Sequence, residues 1–366
     1  MVRLRLIGDV VFTTPALGAL RRKFPHARIT YLVESPAEPV VRNHPGIDEV
    51  VVVDRPRGLA RVGYDLALAR RLKAARFDLA IDFHGGPRSG FLTWATRAPQ
   101  RIGYGLPGRG WCYTTRVDWT RSLVPPRHSV LNQWALLEPL GIEPPDRARD
   151  AVTMPLDPDA VRRIDERLAS SGIDRDARLI VLHVSAGNPF RRWPAASFAA
   201  AAATLAAEDA SRRLIITSGP SESAAAEMVA DEARRLAGPA ASRIVRTGEF
   251  DLAELRALVD RAVLYIGGDS GPLHIAATTR TPIVALFGPT LPGRSMPWRD
   301  PSIGAIAVDA GELPCRPCHQ RACVPGDFRC LTAISPTMVV TAATALLQTA
   351  EGKRLKAEGK RQKAEG

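Results

Sequence analysis

The stretch Val263-Leu264-Tyr265-Ile266-Gly267-Gly268-Asp269-Ser270-Gly271-Pro272-Leu273-His274 decides the reading of the fold. An apolar run of strand length, Val263–Ile266, ends in two glycines, and a helix is expected from about Pro272 to Thr278. Glycine lets backbone approach a ligand closely, and the free N–H groups at a helix start attract phosphate. Ser270 offers a hydroxyl donor, and His274 sits one turn into the helix. The alternative is a tight turn capped by Asp269 or Ser270.

The same strand–turn–helix unit recurs on either side. Leu179–Val184 leads into Ser185-Ala186-Gly187-Asn188-Pro189-Phe190-Arg191-Arg192, ahead of an alanine-rich helix at Ala195–Ala207. Small residues beside two arginines suit a pyrophosphate; a solvated loop is the competing reading. Leu214–Ser218 leads into Gly219-Pro220-Ser221-Glu222, where Glu222 can meet a ribose or base edge and Ser221 can cap the next helix, Glu222–Leu236. Ile244–Thr247 and Ile283–Phe287 complete the strands of this half, and Leu252–Val259 adds a helix. Arg3–Ile7, Ile29–Val33, Glu49–Val53 and Leu79–Phe83 repeat the pattern in the first half, with a helix at Pro15–Lys23. Apolar strands alternating with helices indicate parallel sheets covered on both faces. The Pro- and charge-rich stretch from Glu143 to Pro158 separates the two halves. The chain therefore reads as two doubly wound α/β domains, 1–155 and 156–350, which bind ligands beyond the carboxyl ends of their strands. Facing each other, they would enclose a central cleft.

Composition agrees with that plan. At about 150 residues per domain, 366 residues suggest two. With 45% hydrophobic and 24% charged residues, the chain is neither disordered nor fibrous. No apolar run spans a bilayer, and Gly8 and Asp9 interrupt the apolar start, so no signal peptide is expected and the cytoplasm is the expected compartment. The net charge of +12 points to anionic partners, although an arginine-rich genome gives the same bias. Outside the tail the only lysines are Lys23 and Lys73. Residues 351–366 repeat EGKRLKA as EGKRQKA and read as a disordered basic appendage.

Further candidates lie outside the glycine turns. Asp9 follows the first expected strand and is either a general base or a helix cap. Asp157-Pro158-Asp159 and Asp174-Arg175-Asp176 have the D-x-D form of metal-dependent sugar transfer but lie away from central strand ends. Arg61, Arg88 and Arg101 either bind an acidic acceptor or form a solvated face. Cys315, Cys318, Cys323 and Cys330 suggest a structural metal site, with reduced thiols as the alternative.

Taken together, these residues resemble glycosyltransferase family 9, the ADP-heptose:lipopolysaccharide heptosyltransferases. The resemblance runs from about Arg3 to Val340 through the opening Arg5–Leu17 motif, Phe24–Val33, Phe77–Gly86, Arg101–Tyr104, Gly267–Ala277, Leu286–Thr290 and Pro297-Trp298. It implies a GT-B fold and inverting transfer of heptose to a hydroxyl of the lipopolysaccharide inner core, with Asp9 as base. It implies that Ser185, Arg191, Arg192, Ser221, Glu222, Gly268, Asp269, Ser270, Gly271 and His274 hold the donor. Arg61, His84, Arg88 and Arg101 would then hold a lipid-anchored acidic acceptor at the inner membrane face, with no obligatory catalytic metal and no nucleic-acid partner. Two departures stand out: the family's first strand usually begins several residues earlier, and Arg191 stands where many members carry lysine. The alternatives are a GT-B-like nucleotide-sugar epimerase or hydrolase, and a non-catalytic nucleotide-sugar binding module.

Overall fold

The computed structural model describes residues 1–120, 127–219 and 222–365. The chain forms two compact units, Met1–Pro155 with Trp298–Asp300, and Leu156–Pro297 with 301–366.

In the first unit the strands are β1 (Thr30–Val33), β2 (Glu49–Val52), β3 (Leu79–Ile81), β4 (Gln100–Tyr104) and β5 (Thr115–Val117). They form a parallel pair, β1–β2, and a parallel triplet, β3–β4–β5. The amino-terminal segment joins the two. Val2 bridges Leu32 on one side and Asp82 on the other, both in parallel. Val2 N–H donates to Ile81 O (2.9 Å), Arg3 N–H to Leu32 O (3.1 Å) and Glu34 N–H to Leu4 O (2.9 Å). The spatial order is thus β2, β1, the segment Met1–Leu4, β3, β4, β5, in which the sheet grows outward both ways from its first member.

This corrects the strand expected at Arg3–Ile7. Extended pairing stops at Leu4, and Ile7–Val11 is a short helix. The Asp9 carboxylate accepts from Leu6 N–H (3.5 Å) and so draws the chain into a helical turn just past the sheet. Val2, Leu4, Leu32, Val51, Val53, Leu68, Leu72 and Leu92 bury a continuous apolar layer. Trp298 belongs here as well, because its indole N–H donates to Asp150 O (2.8 Å) and its carbonyl accepts from Val152 N–H (3.0 Å).

In the second unit β6 (Arg178–His183), β7 (Arg212–Thr217), β8 (Ile244–Val245), β9 (Leu264–Gly268), β10 (Ile283–Phe287) and β11 (Ala305–Asp309) make one parallel sheet in the order β11-β10-β9-β6-β7-β8. The order in which strands are added reverses at the β6–β9 pair, which makes that pair the switch point where such sheets take ligands. β9 and β10 are buried along their whole length, which explains their unbroken apolar sequence. The helix Ala195–Glu208 is nearly all alanine on its buried side (Ala199, Ala201, Ala202, Ala203, Ala206). Those small side chains allow close approach to Ala226, Val229, Ala230 and Ala233 of the helix Ser223–Ala237.

The last helix, Pro336–Glu365, buries Val339, Ala342, Ala343, Leu346 and Leu347 on one face. Its continuation through the repeat departs from the disordered tail expected there; alanine, lysine, glutamate and arginine are strong helix formers. Among the described residues, no helix is long and apolar enough to cross a membrane.

Candidate active site

At the switch point of the second unit, the loops that follow β6, β7 and β9 bring together residues distant in sequence. Asp269, directly after β9, is 2% exposed. Its Oδ2 accepts from the Thr290 hydroxyl (2.6 Å) and lies 3.0 Å from Arg191 Nη1, and its Oδ1 lies 3.5 Å from His274 Nε2. Burial pushes the Asp269 carboxyl up, but its partners His274, Arg191 and Thr290 outweigh that and hold it at about 2. Arg191 is fixed on its other side, since its Nε donates to Gln320 Oε1 (2.7 Å), which also accepts from Asn188 Nδ2 (3.0 Å).

Gly268 allows the loops to close. A side chain there would put its Cβ 3.0 Å from the Arg191 carbonyl oxygen. Ser270 precedes the helix Gly271–Ala276, and its buried hydroxyl has no hydrogen-bond partner among the described residues. Arg192 pairs with the Glu222 carboxylate and donates from Nε to Ala186 O (2.9 Å). Ser185 Oγ accepts from Gly219 N–H (2.8 Å) and lies 3.0 Å from His183 Nε2. The ten donor candidates are therefore brought together save one: Ser221 lies outside the described residues. Thr290 lay within the Leu286–Thr290 motif without a role assigned to it, and Gln320 had no signal in the sequence, because it acts only through side-chain contacts with Asn188 and Arg191 across a long loop.

At the carboxyl edge of the first unit's sheet, Asp9 stands at the third position of the helix Ile7–Val11, partly exposed. Arg3 Nη2 lies 2.5 Å from Asp9 Oδ2, and Arg3 Nη1 donates to Phe83 O (2.5 Å). Both side-chain contacts of Asp9 fall on Oδ2, and Oδ1 carries none among the described residues. The carboxylate thus caps its own helix and still presents an open oxygen. Arg3 was not singled out from the sequence; its role follows from ending the first extended segment one turn before Asp9.

His84 follows β3 on the same edge. Its N–H donates to Asp82 Oδ1 (2.8 Å), and its Nδ1 lies 3.2 Å from Arg5 O. Burial, then the Arg3 charge, lower its pKa below the ordinary histidine value. Asp82 is wholly buried and also accepts from Gly85 N–H (3.0 Å), Ser89 Oγ (2.9 Å) and Tyr113 Oη (2.7 Å), which rigidifies the loop carrying His84. The other three acceptor candidates do not join His84. Arg88 is buried between Asp65 (2.6 Å) and Glu34 (3.7 Å) and donates to Asp54 O (2.7 Å). Arg101 donates to Cys112 O (3.0 Å) and Ala98 O (2.6 Å). Arg61 is exposed, 3.7 Å from Asp65.

Two expectations about metals resolve locally. Asp157 of the first D-x-D triplet caps the helix Pro158–Ser170 through Asp159 N–H (3.0 Å). The four-cysteine metal site is corrected: among the described residues no three His, Cys, Asp or Glu side chains are placed to hold a metal ion, and the cysteines are free thiols. Cys330 is drawn into the core by the short helix Arg329–Thr332, whereas Cys315, Cys318 and Cys323 sit on half-exposed turns. That segment instead delivers Gln320 to Arg191 and packs Phe328 against Phe190, with ring centroids 5.5 Å apart and the rings tilted by 44°.

The model of glycosyltransferase family 9 (heptosyltransferase) matches residues 66–327, more than half of the chain. Lipopolysaccharide heptosyltransferase 3 of Escherichia coli is 27% identical, covering 95% of this chain and 98% of its own. Lipopolysaccharide heptosyltransferase 1 of Pseudomonas aeruginosa is 26% identical over 97% and 99%. Among solved structures, the family 9 glycosyl transferase from Veillonella parvula superposes with a TM-score of 0.80 at 25% identity, over 95% of this chain and 96% of that one. The E. coli ADP-heptose lps heptosyltransferase II gives 0.75 at 18% identity, over 96% and 98%. With this match and these two parallel-sheet units, the chain belongs to glycosyltransferase family 9, the heptosyltransferases, and is a glycosyltransferase of GT-B fold built from two Rossmann-like domains.

Proposed function

We propose that this protein transfers heptose from ADP-heptose to a hydroxyl of the lipopolysaccharide inner core, with inversion and with Asp9 as general base. The observation that carries this reading is the cradle after β6 and β9. There Gly268 lets backbone approach closely, the buried Ser270 hydroxyl lacks a partner among the described residues, and Arg191 is locked by Asp269 and Gln320. Such a cradle suits a diphosphate, which brings acceptors for the N–H groups of Ser270 and Gly271 and charge for Arg191 and Arg192.

In one displacement the acceptor oxygen bonds to the anomeric carbon while the bond from that carbon to the diphosphate breaks. The hydroxyl proton passes to Asp9 Oδ1, and ADP departs. Arg3 keeps Oδ2 engaged and so aims the other oxygen. Arg191, His274 and the helix start take up charge growing on the diphosphate, a task that elsewhere falls to a divalent ion, so no catalytic metal is needed. Glu222, tied to Arg192, is the candidate for the ribose hydroxyls. The first unit takes the acceptor, with His84 as its polar contact among the four candidates; Arg88 and Arg101 shape that unit through the bonds described above.

The first unit also carries a surface suited to an anionic bilayer. Helix Leu59–Ala74 buries Leu68 and Leu72 but leaves Leu59, Val62 and Leu66 exposed on the opposite side. Arg57, Arg70 and Lys73 flank them. On this reading the enzyme works at the cytoplasmic face of the membrane that carries its acceptor. Sedimentation with anionic vesicles that is lost in Leu59→Asp/Leu66→Asp supports this location; equal sedimentation refutes it.

The defining experiment mixes the purified protein with ADP-heptose and a heptose-free core acceptor. Release of ADP that depends on the acceptor, with a mass gain of one heptose on the acceptor, is the expected result. Release of ADP without acceptor would instead indicate a hydrolase.

A further inference from the structure

Trp134, Trp193 and Trp298 are buried, but Trp111 of the first unit is 58% exposed. It is nonetheless held in place. It lies in the loop 105–112 after β4, within the single 3-10 turn Gly110–Cys112, whose Cys112 is buried. Its indole N–H donates to Gly108 O (3.2 Å). Its ring meets Trp94 of the helix Pro87–Ala95 edge to face, with centroids 5.6 Å apart and planes at 70°. Trp94 is braced in turn by Phe91, with centroids 6.0 Å apart, and by the Arg97 guanidinium 3.7 Å over its ring. Phe91 itself packs on the core of this unit.

Two further bonds fix this loop at the carboxyl edge of the sheet. Arg116 Nε donates to Gly110 O (2.9 Å), and Arg109 Nη1 donates to Gly85 O (2.7 Å), next to His84. Arg109 spends that one nitrogen on Gly85; its Nε and Nη2 carry no hydrogen bond or ion pair among the described residues. The result is a rigid aromatic face beside a planar set of N–H donors. A pyranose has the matching parts: one face of C–H groups polarised by the ring oxygens, and a rim of hydroxyl acceptors. The face of an indole is negative and attracts such C–H groups, and a guanidinium fork fits a pair of oxygens. A bilayer matches less well, because Arg97, Arg109 and Arg116 are turned to the protein rather than to headgroups.

We propose that Trp111, with Trp94 behind it and Arg109 beside it, is a stacking platform for a sugar of the acceptor other than the one whose hydroxyl reacts. The sheet order separates the two. Asp9 follows the segment Met1–Leu4, His84 follows β3 and Trp111 follows β4, which are successive members of the sheet. Asp9 and Trp111 therefore leave the sheet two strand spacings apart, roughly 10 Å. That is more than a single pyranose spans, so a sugar reacting at Asp9 leaves the platform to its neighbour. The platform thereby favours acceptors of two or more sugars. The inference rests on the reading that the first unit takes the saccharide acceptor, and adds the group that selects its length.

The test uses the full chain and compares a heptose-free core acceptor cut back to one sugar with the same acceptor carrying two. In the unsubstituted protein the two-sugar acceptor should have the lower KM, by about five- to tenfold, with similar kcat. Trp111→Leu, still apolar but without a π-face, should erase that advantage, and Trp111→Tyr should keep most of it. Calorimetric titration of the delipidated two-sugar acceptor should give the same ranking, with equal ADP affinity in all three proteins. A Trp111→Leu protein that keeps the preference overturns the inference. So does a loss of sedimentation with anionic vesicles in place of a change in saccharide affinity, which assigns the ring to the bilayer. Transfer by the unsubstituted protein with no preference for the longer acceptor removes the inference alone. Absence of both transfer and saccharide binding removes the acceptor reading and this inference with it.

Discussion

Replacing Asp269 by asparagine keeps the size of the side chain and removes its charge. In the folded protein the Asp269 carboxyl lies at about 2, against 3.8 when unperturbed. A group whose folded pKa is depressed contributes stability that is complete above its unfolded value and fades as pH falls through the folded one. The window here is pH 4 down to 2. The shift corresponds to about 2 kcal/mol at neutral pH, for a carboxylate with little solvent screening. Asp269→Asn should therefore lower stability at pH 7 by about 2 kcal/mol, or about 4–8 °C in the melting of a unit of this size. It should also weaken ADP, because Arg191 loses its 3.0 Å anchor. The assay is thermal unfolding of both proteins at steps from pH 7 to pH 3, with ADP titration at pH 7. The stability gap should be widest near neutrality and begin to narrow below pH 4. Equal melting at pH 7, or a gap that widens on acidification, refutes the electrostatic account of this turn.

Other outcomes follow from the same geometry. Gly268→Ala should weaken ADP by about tenfold or more with little change in folding, since its Cβ would press on the Arg191 carbonyl at 3.0 Å; native ADP affinity would show that the loops need no close approach. Arg3→Leu should lower kcat by at least about tenfold while leaving ADP affinity intact, because the aim of Asp9 is lost while the donor cradle keeps all its contacts; an unchanged kcat counts against Arg3 as its positioner. Arg88→Ala should cost about 2 kcal/mol in denaturant unfolding, because Asp65 and Glu34 lose their shared partner and keep only the exposed Arg61 and Arg55; a stable variant with a raised acceptor KM would restore Arg88 as an acceptor contact. The pH profile of transfer should show no step from His183 between pH 5 and 8, given its pKa of about 4; a step removed by His183→Gln contradicts that.

How much of this was legible in the sequence depended on burial. The strands of the second unit lie within a residue or two of the apolar runs that announce them, because β6, β9 and β10 are covered on both faces and must be apolar throughout. β4 (Gln-Arg-Ile-Gly-Tyr), β5 (Thr-Arg-Val) and the edge strand β11 escaped notice, being short and only partly buried. The first extended segment was misplaced because Leu4, Leu6 and Ile7 look like one strand, although Asp9 turns the chain at Leu6. The donor turns could be found because glycines after strands have a local signature. Arg3 and Gln320 could not, and neither could the role of Thr290, since their importance exists only once the chain has folded. The cysteine spacing misled for the opposite reason: four thiols close in sequence need not take up the geometry of a metal site, and among the described residues they do not.

The central claim is that Asp9 removes the acceptor's proton, and Asp9→Asn tests it most directly. The exchange preserves shape and leaves the donor cradle untouched. Single-turnover transfer from ADP-heptose to a heptose-free core acceptor should fall by about 10²–10⁴-fold, with ADP affinity unchanged. Transfer at the native rate by the asparagine enzyme would contradict the account.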